Sequence, residues 1–145
     1  TPLQIAGMMN AIASDGKFRT PQILDCVLNE TTGEVQETLA HRKAERVVSP
    51  QTAARLRELL AGVVAEGTGY EAAPGAGTAG GKTGTAQTGQ FAQGVELKNY
   101  WFAGFYPAEA PRWTIVVLQD GQNDPGASSA AVFAQVCDAL EVLQF

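Results

Sequence analysis

The sequence predicts an α+β fold, with an antiparallel sheet, at least a three-strand meander, packed by helices. Three observations lead there. Residues 50–64 and 125–143 carry apolar side chains at helical spacings of three and four. Between them, residues 82–87, 100–106 and 113–118 form three consecutive runs rich in β-branched and aromatic residues. The connections between those runs are short, which implies antiparallel pairing.

Each element has a local reason. Residues 2–15 read as a helix: Thr1 can cap it, Pro2 suits its first position and Gly16 ends it. Leu3, Met8 and Ile12 give it part of an apolar face. Residues 21–39 read as a hairpin, with Ile23, Val27 and Leu28 in one strand, a turn at Thr31-Thr32-Gly33, and a return from Val35 to Leu39. Val47-Val48 is an extended lead-in to a helix that Ser49 caps and Pro50 starts. Leu56, Leu59, Leu60, Val63 and Val64 form its apolar stripe, and Gly67 and Gly69 stop it. Residues 72–81 read as a loop or the start of a strand, and 90–96 as a loop. The turn from Pro107 to Pro111 joins the second and third strands. In the closing helix, Pro125 to Leu143, the expected buried face is Val132, Phe133, Val136, Leu140 and Leu143. There are no internal repeats.

The 145 residues suffice for one domain with a hydrophobic core. Ten basic and fifteen acidic residues give a net charge of −5. The basic residues are scattered, apart from the short run His41-Arg42-Lys43, which reads as a solvated loop. Nucleic acid is therefore excluded as a main partner, because phosphate binding needs clustered Lys and Arg. No apolar run reaches the ~18 residues of a membrane span, and no signal peptide is evident. The abrupt helical opening at Thr1 carries the expectation that the segment belongs to a longer polypeptide. Cys26 and Cys137 have no partners at metal-ligand spacing, so neither a metal nor a cofactor is expected. Buried free thiols are the default for both, with a disulfide left open.

The most informative window is the glycine-rich stretch from Gly75 to Gln87. A phosphate-binding P-loop ending in Gly81-Lys82-Thr83 needs glycine at position 76, which is Ala76. It must also launch a helix, and Gly84, Thr85, Thr88 and Gly89 are poor helix formers. Gly75-x-Gly77-x-x-Gly80 matches a dinucleotide fingerprint formally, but no strand precedes it and no helix follows it. The third reading is Lys-Thr-Gly on a strand that walls an acyl-transfer site. There Lys82 supplies a cation for a carboxylate. Thr83 and Thr85 alternate with Gly84, so their hydroxyls share a face. Gly84 lets an acyl group approach the backbone, and a strand N–H can donate to an oxyanion.

Lys82-Thr83-Gly84-Thr85-Ala86-Gln87 resembles the active-site strand of penicillin-binding proteins, in particular the class B, monofunctional D,D-transpeptidases. Thr1-Pro2-Leu3-Gln4 with its helix, Ser49-Pro50 with the helix into Gly67-Thr68-Gly69, and Trp101 to Pro107 are similar to family segments in the same order. The resemblance implies a partial penicillin-binding/serine β-lactamase-like fold, residues 1–145 being the C-terminal portion of one transpeptidase domain. It implies that Lys82, Thr83 and Thr85 bind the carboxylate of a peptidoglycan stem peptide or β-lactam, and that the Thr85 N–H supplies one oxyanion-hole donor. It also implies a parent at the extracytoplasmic face of the bacterial inner membrane.

The family's nucleophile sits in S-x-x-K at a helix N-terminus. The formal match Ser14-Asp15-Gly16-Lys17 falls at a helix C-terminus and is rejected, and no S-x-N occurs. No catalytic side chain is therefore expected in the segment, and alone it should be inactive. The expected partners are the upstream half of the domain or, through an exposed sheet edge along Trp113–Leu118, further copies of the chain. A β-lactamase or β-lactam sensor of the same fold shares Lys-Thr-Gly, and a non-catalytic interaction module would share the fold. Trp101, Trp113, Tyr100 and Tyr106 read as packing residues, and Phe91 as the aromatic best placed to reach a ligand.

Overall fold

A computed structural model of the chain describes residues 1–40, 42–124 and 126–143. The expectations placed on His41 and Pro125 lie outside the described residues. Helix α1 spans Pro2–Ala13 and carries the predicted cap in full. The Thr1 hydroxyl accepts from the Gln4 N–H, and the Gln4 side chain reaches back to the Thr1 backbone. Beyond Ser14 the chain turns sharply through Asp15 and Gly16, at φ of 53° and 82°. A Cβ on Gly16 would stand 2.2 Å from the Val48 carbonyl oxygen, so only glycine fits there.

Strand β1 (Lys17–Phe18) then pairs with β4 (Glu45–Arg46), and β2 (Cys26–Leu28) pairs with β3 (Val35–Thr38). The second pair is the predicted hairpin, shortened: Ile23 and Leu24 precede the strand and stand 90% and 67% exposed. The first pair has no pattern in the sequence, since two residues are too few to alternate.

Helix α2 (Pro50–Ala65) starts where predicted, with the Ser49 side chain accepting from the Thr52 N–H. Its stripe is only partly buried. Val64 is enclosed but Leu59 is exposed, and small Ala53 is fully buried. A 3-10 turn at Tyr70–Ala72 leads into the sheet.

The sheet has the order β5–β6–β7, from Gly80–Ala92, Val95–Tyr106 and Trp113–Gln122, with both pairings antiparallel. This is the predicted meander, with one correction. Residues 90–96 are not a loop: β5 and β6 run on to a two-residue hairpin at Gln93-Gly94, with both φ angles positive, at 52° and 81°. That is the turn whose twist matches flanking strands. Gln in place of the usual Asn or Asp concealed it. An irregularity between Gln87 and Phe91, where Gly89 takes φ 70°, adds to the disguise.

Alternation along the strands divides the core into two layers. Ala103 and Phe105 of β6 meet Met9 of α1, with Ile5, Ile12, Leu60 and Val116 beside them. Phe102 and Tyr106 face the other way, towards Phe133 and Cys137 of α3 (Ser129–Leu143), with Ile115 and Val117 alongside. The α3 face differs from expectation. Ala130, Phe133, Ala134 and Cys137 are buried, while Val136 and Leu143 are exposed. Small side chains let the helix sit close to the sheet, a criterion that hydrophobicity alone does not supply. Cys26 and Cys137 are both free thiols.

Candidate functional site

The loop before β5 is fastened at four points, and this aims the strand. The Gly75 N–H donates to Asp138 of α3 at 2.7 Å. The Tyr106 hydroxyl donates to Glu141 at 2.8 Å, with the Ala76 carbonyl 2.9 Å away. The Ala108 N–H donates to the Thr78 carbonyl at 2.8 Å. The Thr78 hydroxyl donates to Glu109, holding that carboxyl below its ordinary pKa. Gly80 and Gly81 then thread between β6 and the helices. A Cβ on Gly80 would lie 2.5 Å from the Phe105 ring, and one on Gly81 2.5 Å from the Phe102 ring.

Beyond Gly81 the strand emerges from the core. Gly80 and Gly81 are buried, Lys82, Gly84 and Thr85 are exposed, and Thr83 is half-buried. Lys82 pairs with Ala103, Thr83 with Phe102, Gly84 with Trp101 and Thr85 with Tyr100. Cross-strand partners share a face. Lys82 and Gly84 therefore belong to the α1 side, Thr83 and Thr85 to the α3 side. β5 is an edge strand, so its outward backbone groups are open to a ligand. The Lys82 side chain bends round this edge, and Nζ donates to the Thr83 hydroxyl at 3.0 Å and to the Thr83 carbonyl at 3.2 Å.

The four residues singled out in the sequence thus stand together on one open edge, with a cation and a hydroxyl in contact. Sequence reasoning missed Thr68, whose hydroxyl oxygen lies 3.4 Å from that of Thr83. The glycines on either side were legible as a helix stop, but nothing in the pattern connected them to β5. Phe91 is not in a loop beside the site. It lies in β5 opposite Glu96, six residues past Thr85, or about 20 Å along an extended strand.

Ser14 is the C-cap of α1 and Lys17 opens β1, so the Ser14–Lys17 match does not form a helical pair. Among the described residues there is no cluster of His, Cys, Asp or Glu that could hold a metal. No helix among them is long and apolar enough to cross a membrane.

An antiparallel sheet packed by helices, with Lys-Thr-Gly-Thr on its open edge strand, carries the Lys-Thr-Gly signature of penicillin-recognising domains. Comparison with known proteins gives the same answer. Residues 1–138 match the family model of the penicillin binding protein transpeptidase domain, and the chain belongs to that family. Penicillin-binding protein PbpB of Mycolicibacterium smegmatis is 35% identical over 97% of the chain and 24% of its own length. The peptidoglycan D,D-transpeptidase PbpA of Mycobacterium tuberculosis is 31% identical over 97% of the chain and 28% of its own length.

Among solved structures, the D,D-transpeptidase domain of a peptidoglycan glycosyltransferase from Eggerthella lenta superposes with a TM-score of 0.78 at 37% identity, covering 99% of this chain and 32% of that one. The imipenem acyl-enzyme complex of penicillin-binding protein A from M. tuberculosis gives 0.77 at 30% identity, covering 97% and 31%. The similarity is to D,D-transpeptidases, as the sequence implied. The chain spans about a quarter of the length of these curated relatives.

Proposed function

We propose that residues 1–145 form the C-terminal portion of one class B transpeptidase domain and supply the substrate- and β-lactam-binding wall of a peptidoglycan D,D-transpeptidase. The observation that carries this reading is the exposed edge of β5, where Lys82 Nζ donates to the Thr83 hydroxyl beside Gly84 and Thr85. A cation and two hydroxyls on a strand edge suit a carboxylate, the group shared by a D-Ala-D-Ala terminus and a β-lactam.

In the assembled domain, the upstream portion supplies the serine. Its hydroxyl oxygen attacks the penultimate carbonyl carbon, and the Thr85 N–H donates to the oxygen that becomes negative. The peptide bond to the terminal D-Ala breaks, with the serine proton ending on the departing amine. The amine of a neighbouring stem then attacks the ester and regenerates the serine. A β-lactam acylates the same serine by opening its ring. Gly84 keeps the strand free of a Cβ where the acyl group passes. Lys82, Thr83 and Thr85 hold the carboxylate, and no metal or cofactor takes part. The work is done at the extracytoplasmic face of the inner membrane, with the anchor outside this segment.

Mixing this chain with a separately expressed upstream half, and adding a fluorescent penicillin, tests the proposal. The expected result is covalent labelling of the upstream half only in the mixture, weakened or abolished by Lys82→Ala. Labelling of this chain on its own would contradict it, as would proven association of the halves without labelling.

A further inference from the structure

The turn that ends α2 carries a side chain the mechanism above does not use. Thr68 stands between Gly67 and Gly69, whose N–H groups both donate to the Val63 carbonyl, at 3.1 and 3.0 Å. Gly67 has no room for a side chain, and Gly69 is tightly packed. A Cβ on Gly67 would lie 2.8 Å from the Val63 oxygen, and one on Gly69 3.1 Å from the Val63 side chain and 3.2 Å from the Phe102 ring. The turn is thus packed down on the helix end and on the sheet. Thr68 is exposed between them, with its hydroxyl 3.4 Å from that of Thr83.

The consequence follows from counting what a hydroxyl can do. It has one proton to give and two lone pairs that accept. Lys82 Nζ occupies one lone pair of the Thr83 oxygen, at 3.0 Å. The Thr68 hydroxyl stands 3.4 Å away, and either hydroxyl of this pair can be the donor; when Thr68 donates, it fills the other lone pair. With both filled, the Thr83 proton can only be donated outward, and donors that feed it strengthen it. The 3.4 Å separation is longer than the usual ~2.8 Å of an O–H···O bond. Hydrogen bonds of this kind are commonly long without a ligand and tighten when one binds.

We infer that Thr68 is a positioning residue for the carboxylate site: it donates to Thr83, so that Thr83 presents its own proton to the ligand's carboxylate. The inference rests on the proposed reading of β5 and adds to it a third hydroxyl, which does not itself touch the ligand.

The test uses a complete transpeptidase domain that includes this chain. Reversible binding and the acylation rate at saturation are measured separately, for a penicillin and for its methyl ester. Thr68→Val should weaken reversible binding of the free acid about three- to tenfold, the range of one modest hydrogen bond. Binding of the ester and the saturating acylation rate should stay unchanged. Thr68→Ser should restore the acid. Thr68→Ala, which adds no apolar bulk at an exposed position, should behave as Thr68→Val. In a Thr83→Val background, Thr68→Val should have no further effect.

Acid binding unchanged in both Thr68→Val and Thr68→Ala overturns the role of Thr68, and so does equal weakening of acid and ester. So does an undiminished Thr68→Val effect when Thr83 is valine. If Thr83→Val and Lys82→Ala themselves keep the full preference for acid over ester, the reading of β5 falls instead.

Discussion

Two glycines three residues apart on β5 should fail in opposite ways. At Gly81, an added methyl would stand 2.5 and 2.6 Å from Phe102 ring carbons and 2.8 Å from the Ala103 carbonyl oxygen. Carbon atoms rest about 3.5–4.0 Å apart, so roughly 1 Å must be found. The Phe102 ring is fully buried and packs 4.7 Å, centroid to centroid, from Phe133. It has nowhere to go, and β5 must move away from β6. Overpacking of this kind costs about 1–3 kcal/mol, partly offset by the ~0.4–1 kcal/mol that Gly→Ala removes from unfolded-chain entropy. A net loss of about 1–2 kcal/mol lowers Tm by roughly 2–8 °C at 2–4 °C per kcal/mol.

The same shift displaces Lys82, and a 1 Å misplacement can cost about 100-fold in rate. At Gly84, the nearest atom to an added methyl is the Trp101 Cβ at 3.5 Å, an ordinary contact. Gly84→Ala should leave Tm within about 1 °C while cutting acylation by tenfold or more, because its methyl occupies the acyl group's path. Thermal unfolding and fluorescent-penicillin acylation of a complete domain carrying each change decide the matter. Equal Tm losses would refute the division, as would a Gly81→Ala domain with normal Tm and rate.

Phe133→Ala removes the ring that fills the α3 layer and should cost about 3–5 kcal/mol, read as a lower urea midpoint; a loss below 1 kcal/mol would mean α3 is not docked as described. Burial first, then the Glu141 hydrogen bond, pushes the Tyr106 hydroxyl from 10.0 up to about 12, and burial with Asp138 nearby takes the Cys137 thiol from 9.0 to about 12. Both folded values lie above the unfolded ones, so their stabilisation is complete below about pH 9 and is lost as pH rises towards 12. Tm should fall across that window and fall less steeply in Tyr106→Phe; a flat profile to pH 11 would contradict this. The chain by itself should associate through the unpaired edge of β7 and the exposed apolar side chains Leu3 and Met8 of α1 and Val136, Val142 and Leu143 of α3, and light scattering that shows only monomer at high concentration would count against it.

Local chemistry was enough to read most of this protein in one dimension. Thr1-Pro2 with Gln4, and Ser49-Pro50, declare helix starts because capping involves neighbours three residues apart. Lys82-Thr83-Gly84-Thr85 declares a strand with both hydroxyls on one face because the strand period is two. Where the deciding contacts are distant in the chain, the sequence was silent. The buried face of α3 is set by how closely Ala130 and Ala134 let it approach the sheet, and the β5–β6 hairpin by a register that forces Gln93 to positive φ. Gly81 and Gly84 look alike in the sequence; only the Phe102 ring 2.5 Å from a Cβ at one, and an ordinary 3.5 Å contact with Trp101 at the other, separates packing from function. Thr68 and Thr83 lie fifteen residues apart. Their hydroxyls meet because Gly67 and Gly69 fold the end of α2 onto the strand, a contact that no periodicity encodes.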